Sequence, residues 1–164
     1  MRKAGKITAG ARSVARAAIA DGLTTKQIDK AVNEFIVKSR AIPTFKGYGG
    51  FPASTCISIN EEVIHGIPGK RVIRNGDIVS VDVGATFGGY VGDCAGTYPC
   101  GEISDEAKRL IEVTRQSFFK GLKAEFNKIV WPDQETVGKQ TIVVIVVTAV
   151  LGIFIASFLF GGIL

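Results

Sequence analysis

The 23 residues from Ile142 to Leu164 contain no charged side chain. An α-helix rises about 1.5 Å per residue and the hydrocarbon core of a bilayer is about 30 Å thick, so this run can cross a membrane as one tilted helix. A buried core helix is the alternative, but such a helix rarely stays apolar on every face for so long. We therefore expect a transmembrane helix over residues 141–164.

Basic residues lie only on the N-terminal side of this run, the nearest being Lys120, Lys123, Lys128 and Lys139. Because cytoplasmic flanks of membrane spans are enriched in Lys and Arg, this asymmetry predicts a single-pass membrane protein with a cytoplasmic N-terminal domain. The other basic residues are interleaved with acidic ones, although the net charge is +5. A solvated surface explains that pattern, and we expect no nucleic-acid partner.

The preceding residues predict one α+β domain. Apolar residues recur at helical spacing between Ile7 and Ile19, and Thr24 with Gln27 is typical of a capping box that opens a second helix. Residues 48–98 change to glycines and β-branched runs, which predict strands over 56–60, 77–84 and 85–91. Ser104 then caps a third helix.

The helical pattern continues through residues 118–130 with apolar and basic sides. Beside a membrane span, such a helix can lie among the lipid headgroups or dock on a partner, and an ordinary surface helix is the alternative. Because proline cannot donate a helical hydrogen bond, Trp131-Pro132 predicts a bend before the span.

Two aspartates are candidate metal ligands. Asp82 interrupts an apolar strand-like run, and Asp93 follows it by eleven positions across a predicted hairpin. Adjacent antiparallel strands can bring both carboxylates together, and such pairs bridge divalent metals that activate water. Two turn-stabilising aspartates are the alternative. His65, the only histidine, lies in a predicted loop, where a structural hydrogen-bonding role is the alternative to a catalytic one.

Several motifs, in order, resemble the first half of a type I methionine aminopeptidase over residues 1–117. They are Pro43 to Ser54, His65-Gly66-Ile67-Pro68-Gly69, Asn75-Gly76-Asp77, Asp82-Val83-Gly84 and Gly92-Asp93. The resemblance implies half of a pita-bread α+β fold, a divalent metal cofactor (Co, Mn, Fe or Zn), and removal of N-terminal methionine from nascent polypeptides.

The same resemblance assigns roles to individual residues. It makes Asp82 and Asp93 metal ligands and His65 the histidine that contacts the scissile amide. Tyr48, Phe51 and Cys56 match positions that line the methionine pocket. The family completes its metal site with one histidine and two glutamates from its second half, which the 164 residues do not show. Because each ion needs four to six ligands, we expect little or no activity from this chain alone.

Residues 119–136, followed by the apolar run, resemble bacterial SecE, a small subunit of the protein-export translocase. This resemblance implies that residues 118–140 form a cytoplasmic amphipathic helix with a Trp-Pro hinge on a SecY-type channel subunit. It also implies that residues 141–164 cross the lipid bilayer of the inner (plasma) membrane beside that channel.

Three functional interpretations follow. The leading one is a SecE-like translocase subunit that carries a truncated, inactive aminopeptidase domain. The second is a metal-dependent methionine aminopeptidase, tethered to the membrane or completed by a partner, so the sequence leaves open whether the chain is an enzyme. The third is a non-functional or artefactual fusion, because Gln116 to Leu122 fits either relative.

Overall fold

The computed structural model describes residues 1–129 and 133–160, with side chains of the last segment described as far as residue 155. Two helices come first. Helix α1 spans Arg2–Ala18 and helix α2 spans Thr25–Lys38. The predicted capping box is confirmed, because the Gln27 amide donates to Thr24 Oγ1 at 3.3 Å and the Thr24 amide donates to Gln27 Oε1 at 2.8 Å.

Four antiparallel strands form one sheet. They are β1 (Ile42–Pro43), β2 (Thr55–Ile59), β3 (Ile78–Phe87) and β4 (Tyr90–Pro99). Strand β3 is central, with β1 and β2 on one side and β4 on the other. A short 3₁₀ turn over Tyr48–Gly50 lies between β1 and β2.

The sheet corrects one sequence prediction, that separate strands occupy residues 77–84 and 85–91. The structure has a single ten-residue strand to Phe87, a two-residue turn at Gly88-Gly89, and a second ten-residue strand from Tyr90. Both turn glycines have positive φ, 58° and 79°, as a tight hairpin turn requires. The two long strands therefore pair along their whole length.

The two faces of β3 differ in chemistry. Val79, Val81 and Val83 are fully buried and belong to the same apolar core as residues of α1 and α2, including Ile28 and Val32. The alternate positions, which include Ser80 and Asp82, lie on the opposite face. The helices and the apolar face form the core, and the other face is left for polar side chains.

Helix α1 makes a close approach to β4 at Gly92. A Cβ atom there would lie 2.5 Å from Thr8 Oγ1 and 2.8 Å from the Ala4 carbonyl carbon. We expect Gly92→Ala to lower the free energy of unfolding by about 1.5 kcal/mol, because the backbone must shift to admit the methyl group. Gly5→Ala in α1 is the matched control, since a Cβ atom there meets nothing within 4 Å. Urea unfolding of both variants tests this, and equal midpoints would contradict it.

The chain divides into two compact units, Met1–Gln116 and Ser117–Leu164. Helix α3 (Asp105–Asn127) begins at the predicted cap, where Ser104 Oγ accepts from the Ala107 amide at 3.1 Å. Helix α4 (Gln134–Phe160) begins seven residues before the predicted span, after Asp133 accepts from the Thr136 amide at 2.7 Å. The predicted bend at Trp131-Pro132 lies outside the described residues.

Candidate metal centre

The hairpin of β3 and β4 places Asp82 and Asp93 on the same face of the sheet. Asp82 lies opposite Ala95, and Asp93 lies two residues from Ala95 on the same strand. Side chains two residues apart along a strand point to the same face, so the two aspartates are diagonal neighbours. The predicted juxtaposition of two carboxylates is therefore present in the structure.

The environment of Asp82 disfavours its ionised form. Burial raises the pKa of this carboxyl group, and the charge of Asp93 and a hydrogen bond to Asp93 raise it further. The Oδ1 atom of Asp82 is buried and has no hydrogen-bond partner within the part of the chain that the structure describes. Because native proteins rarely leave a buried carboxylate oxygen unpaired, this atom indicates a missing donor or cation.

Strand β2 contributes Cys56, which pairs with Asp82 across the sheet and is 8% exposed. Burial, followed by the charges of Asp82, Asp93 and Asp29, raises the pKa of this thiol to about 11. Since only a thiolate binds metals strongly, Cys56 is a neutral, weakly polar neighbour of the carboxylates.

His65 lies on the loop between β2 and β3 and has a positive φ of 58°. Its charge lowers the pKa of Asp82, although burial and Asp93 outweigh this effect. The structure therefore places the imidazole within electrostatic reach of the carboxylate pair. Its side chain is exposed.

The other two candidate pocket residues belong to the segment between β1 and β2. Tyr48 is 82% exposed in the 3₁₀ turn, and Phe51 follows that turn with a half-buried side chain. Their positions leave the Tyr48 ring in solvent, without a closed pocket around it. Cys56 is thus the one candidate pocket residue that directly neighbours an aspartate across the sheet.

Sequence reasoning missed Asp29 of α2. Its Oδ1 accepts hydrogen bonds from the Ser54 amide and the Thr55 amide, both at 2.9 Å, and from Thr55 Oγ1 at 2.8 Å. Asn33 Oδ1, one turn later, accepts from Ser54 Oγ at 2.8 Å. Asp29 and Asn33 are four positions apart beside the buried face of α2, a spacing that could have predicted a pair of polar contacts from this helix. The hydrogen bonds of Asp29 and Asn33 hold Ser54 and Thr55 in place at the start of β2, the strand that contains Cys56.

The described residues fit half of a divalent-metal site. Two carboxylates offer the hard oxygen ligands that ions such as Mn²⁺ and Mg²⁺ prefer. Within residues 1–129 and 133–160, however, no group of three or more His, Cys, Asp or Glu side chains is arranged to hold a metal ion. Asp82 and Asp93 would therefore hold a cation only together with ligands from elsewhere.

Comparison with known proteins agrees with this architecture. The chain is 57% identical over 124 residues to a methionine aminopeptidase from Clostridium acetobutylicum, covering 75% of this chain and 50% of that protein. It is 52% identical to methionine aminopeptidase 1 of Bacillus subtilis, again over 75% of this chain and 50% of the relative. The chain thus spans about half the length of the curated relatives it matches.

Solved structures give the same result. The methionine aminopeptidase of Thermotoga maritima matches with a TM-score of 0.71 and 48% identity, over 73% of this chain and 49% of that chain. The enzyme from Rickettsia prowazekii also matches with a TM-score of 0.71, at 38% identity, over 73% of this chain and 48% of the other. The N-terminal portion therefore has the α+β half-domain of methionine aminopeptidases.

The family model for metallopeptidase family M24 matches residues 1–143. This match includes both aspartates of the candidate site and extends beyond residue 117, where the resemblance to SecE was expected to begin. With most of its length covered by that model and its strands arranged as in solved methionine aminopeptidases, the chain belongs to metallopeptidase family M24.

Proposed function

We propose that residues 1–117 supply half of a metal-dependent methionine aminopeptidase site, with Asp82 and Asp93 as ligands to a divalent metal (Co, Mn, Fe or Zn). The buried, unpartnered Oδ1 of Asp82 beside Asp93 is the observation that carries this proposal. When bound, a divalent ion in such a site supplies Lewis acidity that activates water for peptide hydrolysis. The substrates would be nascent polypeptides that begin with methionine.

The surrounding residues suit that substrate. His65, on a loop within electrostatic reach of Asp82, would contact the scissile amide. Cys56 keeps its proton at neutral pH, so it presents a weakly polar surface to a methionine side chain. Tyr48 and Phe51 would complete the pocket once substrate or a second polypeptide covers them.

We expect the chain alone to release no methionine from a Met-Ala peptide in the presence of Mn²⁺ or Co²⁺. The reason is ligand number, because two carboxylates cannot satisfy an ion that needs four to six ligands. Calorimetry should nevertheless detect weak Mn²⁺ binding that weakens at least tenfold in Asp82→Asn. Methionine release that disappears in Asp93→Ala would show instead that the site is complete.

We propose that residues 118–164 anchor this domain in the inner membrane as a SecE-like subunit, beside a SecY-type channel subunit and with the N-terminal domain in the cytoplasm. Helix α4 supports the proposal. Its residues Gln134–Ile155 are long and apolar enough to cross a bilayer, and they are unburied in the chain itself. A helix that is apolar on all sides and unburied needs lipid or protein around it.

Membrane fractionation tests the anchor. We expect the full chain to remain in the membrane after alkaline washing and to require detergent for release. A variant with Val144→Lys and Leu151→Lys should become extractable by alkali, because lysine costs about 3 kcal/mol at the centre of a span. Copurification of SecY with the wild type, but not with that variant, supports the SecE-like role. Alkaline extraction of the wild type would contradict the anchor.

A further inference from the structure

The two outer edges of the sheet, β2 and β4, differ in whether their outward backbone amides have hydrogen-bond acceptors. Along the free edge of β2, the amides of Thr55, Ile57 and Ile59 donate to Asp29 Oδ1, the Gly66 carbonyl and Glu62 Oε2 at 2.8–2.9 Å. Each outward amide of that strand therefore has an acceptor within the chain. An edge covered in this way cannot accept another strand.

Strand β4 has an open edge. The Gly84 carbonyl accepts a hydrogen bond from the Thr44 amide, which lies on the β1 side of β3. The N–H and C=O groups of even-numbered β3 residues therefore point toward β1 and β2, away from β4. The odd-numbered residues of β4 therefore direct theirs away from β3. The Ala95 carbonyl confirms this direction, because it accepts from Arg12 Nη1 at 3.0 Å. The outward amides of Val91, Asp93, Ala95 and Thr97 have no acceptor among the described residues.

This edge is complementary to itself. If a second copy pairs antiparallel with residue 93 opposite residue 95 of the other copy, residue 91 lies opposite residue 97. All four outward residues of each copy then form hydrogen-bonded pairs across one two-fold axis. A shift of two residues places Val91 opposite Pro99, which has no amide to donate, or Thr97 opposite Gly89 of the turn, so either shift loses hydrogen bonds. Among the hydrogen bonds of residues 1–116, the exposed one from Arg12 to the Ala95 carbonyl must be released.

The same register completes a set of carboxylates. Asp93 lies on the open edge strand, and its diagonal neighbour across the axis is Asp93 of the second copy. Asp82 lies diagonally behind each of them, so four carboxylates follow one another on a single face of an eight-stranded sheet. The two Asp82 residues are three strands apart and cannot share an ion, but each pair of Asp82 and Asp93 gains Asp93 of the other copy as a third carboxylate, an oxygen ligand of the kind that Mn²⁺ prefers.

We propose that two copies of this chain pair through the β4 edges and bind divalent metal between them through Asp82 and Asp93 of both copies. Without a cation the two Asp93 charges repel each other and Asp82 Oδ1 of each copy keeps no partner among the described residues, so metal favours the dimer. The metal requirement rests on the proposed function, whereas the strand pairing rests on the open edge. A second copy is favoured over an unrelated strand because it pairs all four outward amides and adds further carboxylates.

Sedimentation of the full chain in non-ionic detergent, with EDTA or with Mn²⁺, tests the proposal. We expect monomers in EDTA and dimers in Mn²⁺. Ala95→Pro should weaken the dimer at least tenfold, because it removes an outward amide and leaves the bonds between β3 and β4 intact. Ala95→Ser is the matched control and should dimerise as the wild type does. Dimers that persist in Ala95→Pro would overturn the proposal and assign the contact to another surface such as α4.

A cross-link tests the register without altering the edge. In the proposed pairing, Cys94 lies directly opposite Cys94 of the second copy in a non-hydrogen-bonded pair, at a Cα separation of about 4.5 Å that a disulfide can bridge. Diamide should therefore link the two copies in Mn²⁺ but not in EDTA. A Cys56→Ser, Cys100→Ser variant should still cross-link, and Cys94→Ser should not. Cross-linking that depends on Cys56 or Cys100 would exclude this register.

Measuring Mn²⁺ binding and dimerisation together distinguishes failure of the proposed dimer from failure of the proposed metal site. Mn²⁺ binding by a monomer, lost in Asp82→Asn, would overturn the dimer and leave the half-site intact. Absence of both Mn²⁺ binding and dimers would remove both proposals. Dimers in EDTA that Ala95→Pro dissociates would establish the strand pairing and overturn the shared metal.

Discussion

Replacing Asp29 by alanine is expected to lower the free energy of unfolding by about 3 kcal/mol. The substitution removes one carboxylate oxygen that accepts three hydrogen bonds at the start of β2. Ser54 and Thr55 are fully buried, so their amides would lose a charged acceptor without gaining water. A buried donor left unsatisfied costs about 1–3 kcal/mol, and three donors, the two amides and the Thr55 hydroxyl, lose their acceptor here.

The control for this prediction is Asp29→Asn, which keeps an acceptor oxygen in the same position and removes the charge. We expect it to cost less than half as much as the alanine variant. Urea midpoints of the full chain in non-ionic detergent measure both changes. Equal losses in the two variants would show that the charge of Asp29 matters more than its hydrogen bonds.

The sequence was sufficient where the determining contacts are local. The capping box at Thr24 and Gln27 joins residues three positions apart, and a hairpin between Asp82 and Asp93 was predicted, although the predicted strand over 85–91 ran through its Gly88-Gly89 turn. The hairpin in turn brings Asp82 and Asp93 together, because strand register converts a spacing along the chain into a position on a face. The carboxylate pair could therefore be predicted from the amino-acid sequence alone.

Long-range contacts could not be predicted in this way. Gly84 suggested the end of a strand, but β3 continues through it, and the glycine is needed because the ring of Phe45 lies 2.7 Å from where a Cβ atom would stand. Asp29 lies 26 positions before Thr55, so the partners of its carboxylate could not be inferred from its neighbours along the chain. The open edge of β4 is likewise a property of the whole sheet, since it depends on which strands pair with β3.

Converting Asp82 to asparagine is expected to raise the free energy of unfolding at pH 7.5 by about 1 kcal/mol when metal is removed with EDTA, a modest gain because the side chain is only half-buried. The ionised carboxylate is penalised first by burial and then by Asp93. An uncharged amide of similar shape escapes most of that penalty, and its NH₂ group can donate to Asp93. Urea midpoints of the wild type and the variant, compared in EDTA, measure the gain.

The pH dependence of the free energy of unfolding tests whether the charge of Asp82 is the cause. In the wild type the folded-state pKa of Asp82 lies above the unfolded value of 3.8, so unfolding releases protons between those two values. The stability contributed by the neutral group is therefore full below pH 3.8 and is lost as pH rises through the folded-state pKa. The advantage of Asp82→Asn should vanish at pH 3.5 and reach its maximum above the folded-state pKa.

Divalent metal should make the wild type more stable than Asp82→Asn. A cation that binds Asp82 and Asp93 only in the folded protein stabilises the wild type, and the stabilisation increases with the logarithm of its concentration. Asp82→Asn lacks one of the two carboxylates, so Mn²⁺ should raise the midpoint of the wild type more than that of the variant. An advantage of Asp82→Asn that is the same at pH 3.5 and pH 7.5, or is unaffected by Mn²⁺, would show that the carboxylate charge is not what destabilises this face of the sheet.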